Sequence, residues 1–360
     1  MKKLLIIQSR VQHYRIPLFD KMKKKLFGRY KLYVIGGTFN GEAYGGVKRN
    51  YIHSINYNNL FIFHYWGGVF KKISAIKPDI IISTASPRNL SIYFILLYSY
   101  FKKIRIIGWS KINSKKIIKF KFYKRIFYNF FNEIILYGSK SAKELNKIGY
   151  LGKYVIANNT IDTEFIENNN EKINKIASDI KSEYKLENKK IILFLGRLDA
   201  EKRPIDMTVF EKVLAKDKKN ILVFVGDGLL RSNIEMFKQT SKFSNQIITT
   251  GRVPFLYDYA WIKLSFVFIV PGQVGLAIKQ AMLLRTPVII ADEHGVDAEV
   301  VVNDLTGLRF KKTIKSDLLY KFQKLESNSK LKKNIIKNSY LLIKKDHSIE
   351  SMANKILELL

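Results

Sequence analysis

The residues best suited to chemistry stand where apolar runs end at glycines. Phe194 and Leu195 close one such run at Gly196; Arg197 follows at once, and Lys202 comes five residues later, ahead of Pro204. A guanidinium offers a two-pronged donor fork and an ammonium a compact point charge, so the two together suit a diphosphate. Further runs end at Gly226-Asp227-Gly228 and at Gly251-Arg252-Val253, where glycine permits a tight turn or a close backbone approach. A fourth ends at Pro271-Gly272-Gln273-Val274-Gly275-Leu276 and opens a helix that carries Gln280 one to two turns in. Amides at such a helix start favour phosphate, and Gln280 can face the same pocket. Solvated surface cations are the plain alternative for Arg197 and Lys202. In the first half, His13 follows the first apolar run with Arg10, Tyr14 and Arg15 beside it. Contact with acceptor or donor is one reading of this group; a structural histidine, with Arg15 anchoring the loop, is the other.

These residues need elements that bring strand ends together. Short β-branched runs alternate with helical-length segments nearly throughout, the pattern of βαβ units and hence of an α/β fold with parallel sheets. In such sheets ligands bind beyond the carboxyl ends of the strands. The alternation predicts strands at residues 4–8, 31–35, 79–83, 104–108, 133–137 and 154–157, then at 190–195, 221–225, 246–249, 265–270 and 287–291. Helices are expected at 17–26, 87–101, 115–132 and 139–148. The apolar run within 87–101 is about half of what crosses a bilayer, so it reads as a buried helix. At 360 residues the chain exceeds the usual single core. The expected division is a first domain at 1–160, an interdomain connection at 161–188, a second domain at 189–340, and a terminal segment at 341–360 whose helix packs back on the first domain.

Composition bounds the partners. The formal charge of +33, from 63 Lys and Arg against 30 Asp and Glu, favours anionic ones. Residues 80–132 hold eleven Lys or Arg and thirteen aromatics without a single acid. Within them, 111–131 interleaves cations with Phe, Tyr and Ile, which suits an anionic membrane surface; a helix with a solvated basic face is the alternative. The chain has no cysteine, which excludes disulfides and thiolate metal sites, and its five histidines lack zinc spacing, so neither a metal nor a cofactor is expected. The short run after Lys2-Lys3 lacks a signal-peptide core, which predicts a cytoplasmic protein, peripheral on the inner face of the membrane. A basic nucleic-acid-binding protein would share this composition, but no motif of such a module occurs, and no nucleic-acid partner is expected.

The ordered set GRLxxEKRP (196–204), GDGxLR (226–231), GRV (251–253), PGxVGLxxxxAM (271–282), TPVI (286–289) and NDLTG (303–307) resembles the retaining glycosyltransferases of family 4. IIQxxxxxYRIPLF (6–19) and NNTID (158–162) extend the likeness into the first half. The resemblance implies the GT-B architecture, two Rossmann-like doubly wound domains facing across a cleft. It further implies a nucleotide-sugar donor on the second domain and a glycan or lipid-linked acceptor on the first, in surface-polysaccharide biosynthesis.

By that likeness Arg197 and Lys202, above the strand end at Gly196, neutralise the leaving diphosphate. Gly275 and Leu276 offer amides to the phosphates, Arg252 and Val253 lie against the nucleobase, and Gln280 takes the place of a glutamate that holds the ribose. Gly272 takes the place of a second glutamate, leaving the sugar to backbone or to neighbours such as Gln273 and Val274. Trp109 fills a slot where a histidine is frequent. The loop from His294 to Glu299 is expected to line the donor pocket, with a helix-cap role the plain alternative for Asp297. Glu299 matches a glutamate that begins the next helix, where a structural role is the alternative to a catalytic one. The departing diphosphate would itself help deprotonate the acceptor, so no dedicated nucleophile is required. The two missing carboxylates also leave open a GT-B protein that binds without catalysing.

Overall fold

Strands covered by helices on both faces read as continuous apolar runs, and those runs are where the sheets form. The computed structural model describes residues 1–38, 49–112, 121–292 and 295–360. His294 and the first part of the helix expected at 115–132 lie outside them. The chain divides into two units, Met1–Asn159 with Ile349–Leu360, and Thr160–Ser348.

The first unit has strands β1 (Lys2–Gln8), β2 (Tyr30–Thr38), β3 (Ile52–Leu60), β4 (Phe63–Gly67), β5 (Ile80–Thr84), β6 (Arg105–Ser110), β7 (Glu133–Leu136) and β8 (Lys153–Ile156). Their order is β4-β3-β2-β1-β5-β6-β7-β8. All pairs are parallel except β3 with β4, an edge hairpin that polar residues such as Asn56, Asn58 and Asn59 hide from sequence inspection. β1 has β2 on one side and β5 on the other, so the chain reverses direction of winding there, and the loop bearing His13 leaves from that point.

Helix Leu90–Phe101 differs from its expected full burial: Ile92, Ile95 and Leu96 are inside, whereas Phe94, Leu97, Tyr100 and Phe101 are exposed. The terminal helix Ile349–Leu357 belongs to the first unit. Its Met352 and Ile356 join the core beside Leu18, Phe19 and Met22 of helix Ile16–Lys25, and Glu350 pairs with Lys25 at 2.5 Å.

The second unit has β9 (Lys190–Leu195), β10 (Asn220–Val225), β11 (Ile247–Gly251), β12 (Val267–Val270), β13 (Val288–Ala291) and β14 (Leu308–Phe310), in the order β11-β10-β9-β12-β13-β14. Every pair is parallel. Residues 161–188 are not a surface connection but part of this unit: helices Thr163–Asn168 and Asn170–Glu183 bury Ile166, Ile173, Ala177 and Ile180 in its core. Their apolar positions follow helical spacing, which the surrounding Asn, Lys and Glu obscure. Asp162 starts the first of them by accepting a hydrogen bond from the Phe165 amide at 2.9 Å.

Candidate active site

β9 has β10 on one side and β12 on the other, which makes it the switch point of the second sheet, where loops leaving adjacent strand ends diverge and open a crevice. The loop after β9 is stitched to its neighbours by backbone hydrogen bonds: Gly196 N to Val225 O at 3.0 Å, Leu198 N to Asp227 O at 2.9 Å, and Gly226 N to Gly251 O at 2.9 Å. Gly226 has φ 135°, and a Cβ there would lie 1.9 Å from Gly196 O, so no other residue fits. Three glycine turns thus form one continuous rim.

On the opposite side of β9, the loop after β12 presses against the same rim. A Cβ on Gly272 would lie 2.2 Å from Glu201 O and 2.6 Å from Lys202 C. Gln273 N donates to Glu201 O at 2.8 Å, and the Lys202 ammonium donates to Gln273 O at 2.7 Å. The same ammonium lies 3.6 Å from where a Gly275 Cβ would stand. Asp199 holds the Lys202 backbone by accepting from its amide at 2.9 Å. The absence of a side chain at Gly272 therefore has a steric cause: the two loops touch through their backbones, and a glutamate does not fit.

Lys202 is half-buried, and burial lowers its pKa from the usual lysine range; Arg197 lowers it further, against Asp199, Glu201 and Asp297. Arg197 is 68% exposed and turns toward its own loop, with Nη2 3.2 Å from Asp199 Oδ2 and 3.5 Å from Glu201 Oε2. Of the two expected cations, only Lys202 contacts the Gly272 to Leu276 turn.

Gln280, on helix Ala277–Leu283, donates from Nε2 to the Tyr259 hydroxyl at 3.2 Å. Tyr259 lies on helix Tyr257–Leu264, which follows Arg252 and Val253. Burial pushes its phenol up to about 12, with Asp258 adding to the rise. No motif marked Tyr259; its place on the helix after the GRV turn was the available signal. Arg252 is exposed, and Val253 packs partly against the core. Lys279 is fully buried and pairs with Asp297 at 2.8 Å; Asp297 is the first residue of the helical turn Asp297–Val300, whose cap position is Val296, so it serves as an ionic partner and not as the cap. Among the described residues no three carboxylate or histidine side chains converge as metal ligands would.

In the first unit His13 and Tyr14 are exposed, their rings 5.7 Å apart, and Arg10 lies over the Tyr57 ring at 5.2 Å. Arg15 and Trp109, candidates for the acceptor cleft, are only 6% and 1% exposed, and Arg15 takes its alternative, anchoring role. The Arg15 guanidinium donates to Asn159 Oδ1 at 2.7 Å and to Met352 Sδ at 3.1 Å, and it stacks on Trp109 and Tyr137 at 5.5 and 5.1 Å. Arg15 thus anchors the first loop to the terminal helix, and Trp109 walls it in. The aromatic neighbours compensate the buried cation where no sequence spacing reveals them.

Residues 175–342 match the family model for glycosyl transferases group 1. An uncharacterized glycosyltransferase of Methanocaldococcus jannaschii is 26% identical over 307 residues, covering 80% of this chain and 76% of that protein. HepE of Anabaena, solved in complex with UDP, matches with a TM-score of 0.72 over 100% of this chain and 99% of its own, at 14% identity. The lipopolysaccharide outer core galactosyltransferase WaaB, solved in its apo form, matches with a TM-score of 0.69 over 99% and 100%, at 12% identity. The fold is therefore an α/β, two-domain GT-B-like one. The matched stretch lies within the second unit, Thr160–Ser348.

Proposed function

We propose that this chain is a retaining glycosyltransferase that takes a sugar from a nucleotide-sugar and adds it to a glycan or lipid-linked acceptor in surface-polysaccharide synthesis. The observation that carries the reading is the Lys202 ammonium set against the Gln273 carbonyl at the switch point of the second sheet. A donor diphosphate placed there meets Lys202 directly, and Arg197 reaches it by leaving its weak, solvent-screened carboxylate partners. The amides of Gly275 and Leu276 complete the socket. Gln280 and Tyr259 offer the ribose an amide and a hydroxyl; Arg252 and Val253 take the base.

In the reaction the bond between the anomeric carbon and the diphosphate oxygen breaks, and a bond to the acceptor hydroxyl oxygen forms on the same face. The acceptor proton passes to the departing diphosphate. Arg197 and Lys202 stabilise the charge that develops on that leaving group, the electrostatic contribution that commonly dominates such catalysis. The first unit, with His13, Tyr14 and Arg10, presents the acceptor. UDP bound in HepE, and the description of WaaB as a lipopolysaccharide outer core galactosyltransferase, support a nucleotide donor and a surface glycan as the classes to try. The basic residues of the first unit hold the protein at an anionic inner membrane leaflet.

The test is a turnover panel with UDP-, GDP-, dTDP- and CMP-sugars and lipid-linked acceptors, with the anomeric configuration of the product read by NMR. Retention with one donor class is expected. Donor binding without turnover across a broad acceptor panel would favour a binding-only protein, the reading that the glycine and glutamine at 272 and 280 otherwise suggest.

A further inference from the structure

Helix Leu90–Phe101 contains no charged residue, yet only half of its girth is covered. Phe94, Leu97 and Phe101 fall three and four positions apart, so they form one outward stripe, with Phe94 62% exposed and Tyr100 beside it. A helix that is apolar all round belongs inside a core or against lipid. Helix Lys121–Asn129 continues the patch with exposed Phe122 and Ile126, accompanied by Lys121 and Arg125. The hydroxyls of Tyr93 and Tyr123 meet, which joins the two helices.

The β3–β4 hairpin adjoins the start of the stripe: His64 N donates to Arg88 O at 3.0 Å, and Trp66 N to Ser91 Oγ at 2.9 Å. Its tip carries Phe61, 98% exposed and held at φ 52°, a left-handed geometry that bulky side chains seldom take. Lys102 and Lys103 close the far end of the helix. Contiguous exposed apolar surface rimmed by charge marks an interaction site.

We infer that this face is a docking surface for an anionic phospholipid bilayer, with helix Leu90–Phe101 lying in the interface. Lys102, Lys103, Lys121 and Arg125 then meet the headgroups. The inference deepens the peripheral-membrane reading above and rests on it; it moves the apolar anchor from the basic segment to the preceding helix. Charge selects the occupant: with no acid in residues 80–132, a second copy of this face would set cations against cations, whereas anionic lipid complements them. Among the described residues no helix is long and apolar enough to cross a membrane, so this one lies along the surface.

The experiment is co-sedimentation of the full chain with phosphatidylcholine vesicles, with and without phosphatidylglycerol. Binding only to the anionic vesicles is expected. The combined substitution Phe94→Ser, Leu97→Ser and Phe101→Ser should lower partitioning by about tenfold or more. Lys121→Gln with Arg125→Gln should lower it by about fivefold per lost charge at low salt. Nucleotide binding and thermal melting should match the parent in both variants, which separates failure of this face from failure of the glycosyltransferase reading or of the fold. Indifference of the parent to lipid charge, or unchanged vesicle binding by the serine variant, overturns the inference. So does a dimer that the serine substitutions dissolve without any change in vesicle binding.

Discussion

The Lys202 ammonium lies 2.7 Å from the carbonyl oxygen of Gln273, and this contact spans the switch point between β9 and β12. It fixes a cation among backbone groups of two loops that must already be in place. Side-chain position here depends on backbone packing that glycine alone permits.

That dependence predicts the outcome of Gly272→Ala. The added methyl would lie 2.2 Å from Glu201 O, so the loops must part. Overpacking of this kind costs about 1–3 kcal/mol. The variant should melt earlier and bind nucleotide more weakly than the parent, and a calorimetric scan beside a binding titration measures both.

The lowered pKa of Lys202 gives a pH signature. Burial disfavours its charged form, so its proton leaves before the ordinary lysine value of 10.5 is reached, and its attraction for a diphosphate goes with it. Nucleotide affinity should therefore decline as pH rises, with the decline beginning below the ordinary lysine value of 10.5. In Lys202→Arg the charge persists and the alkaline decline should flatten, whatever the affinity at neutral pH.

Arg15 should act on stability and not on donor binding. It ties the first loop to Asn159 and to Met352 of the terminal helix. Arg15→Ala removes charged hydrogen bonds and stacking together, at a cost of about 3 kcal/mol. Hydrogen exchange should show helix Ile349–Leu357 losing protection, with nucleotide affinity unchanged.

The buried pair of Lys279 and Asp297 should be strongly coupled. Lys279→Met removes the buried cation beside the Asp297 carboxylate and should destabilise by about 3–5 kcal/mol. Lys279→Met combined with Asp297→Leu should cost much less than the sum of the two single changes. A double-mutant cycle by denaturant unfolding reads the coupling.

Much of the parallel framework was legible in the sequence because strands buried on both faces must be continuously apolar; β9, expected at 190–195, is observed at Lys190–Leu195. The glycine turns were legible too, since a backbone that approaches another backbone leaves glycine behind, as at Gly226 and Gly272. What burial alone decides was not. The exposure of Phe94 and the enclosure of Arg15 and Trp109 depend on which neighbours cover a side chain, and residue type does not specify that. Helix Asn170–Glu183 was read as a connection because its polar face outnumbers its apolar one, although Ile173, Ala177 and Ile180 lock it into the core. The pairing of Gln280 with Tyr259 joins two helices that no linear motif relates.

The central claim is that the Lys202 and Gln273 junction is where a nucleotide diphosphate binds. Titration calorimetry of the intact protein with UDP-, GDP-, dTDP- and CMP-sugars, repeated with Lys202→Ala and Arg197→Ala, tests it most directly. One donor class should bind the parent, and each alanine variant should lose about tenfold or more in affinity, as loss of a charge-assisted contact implies, while melting close to the parent temperature. Equal affinity in parent and Lys202→Ala, or no binding of any nucleotide-sugar by folded parent protein, would contradict it.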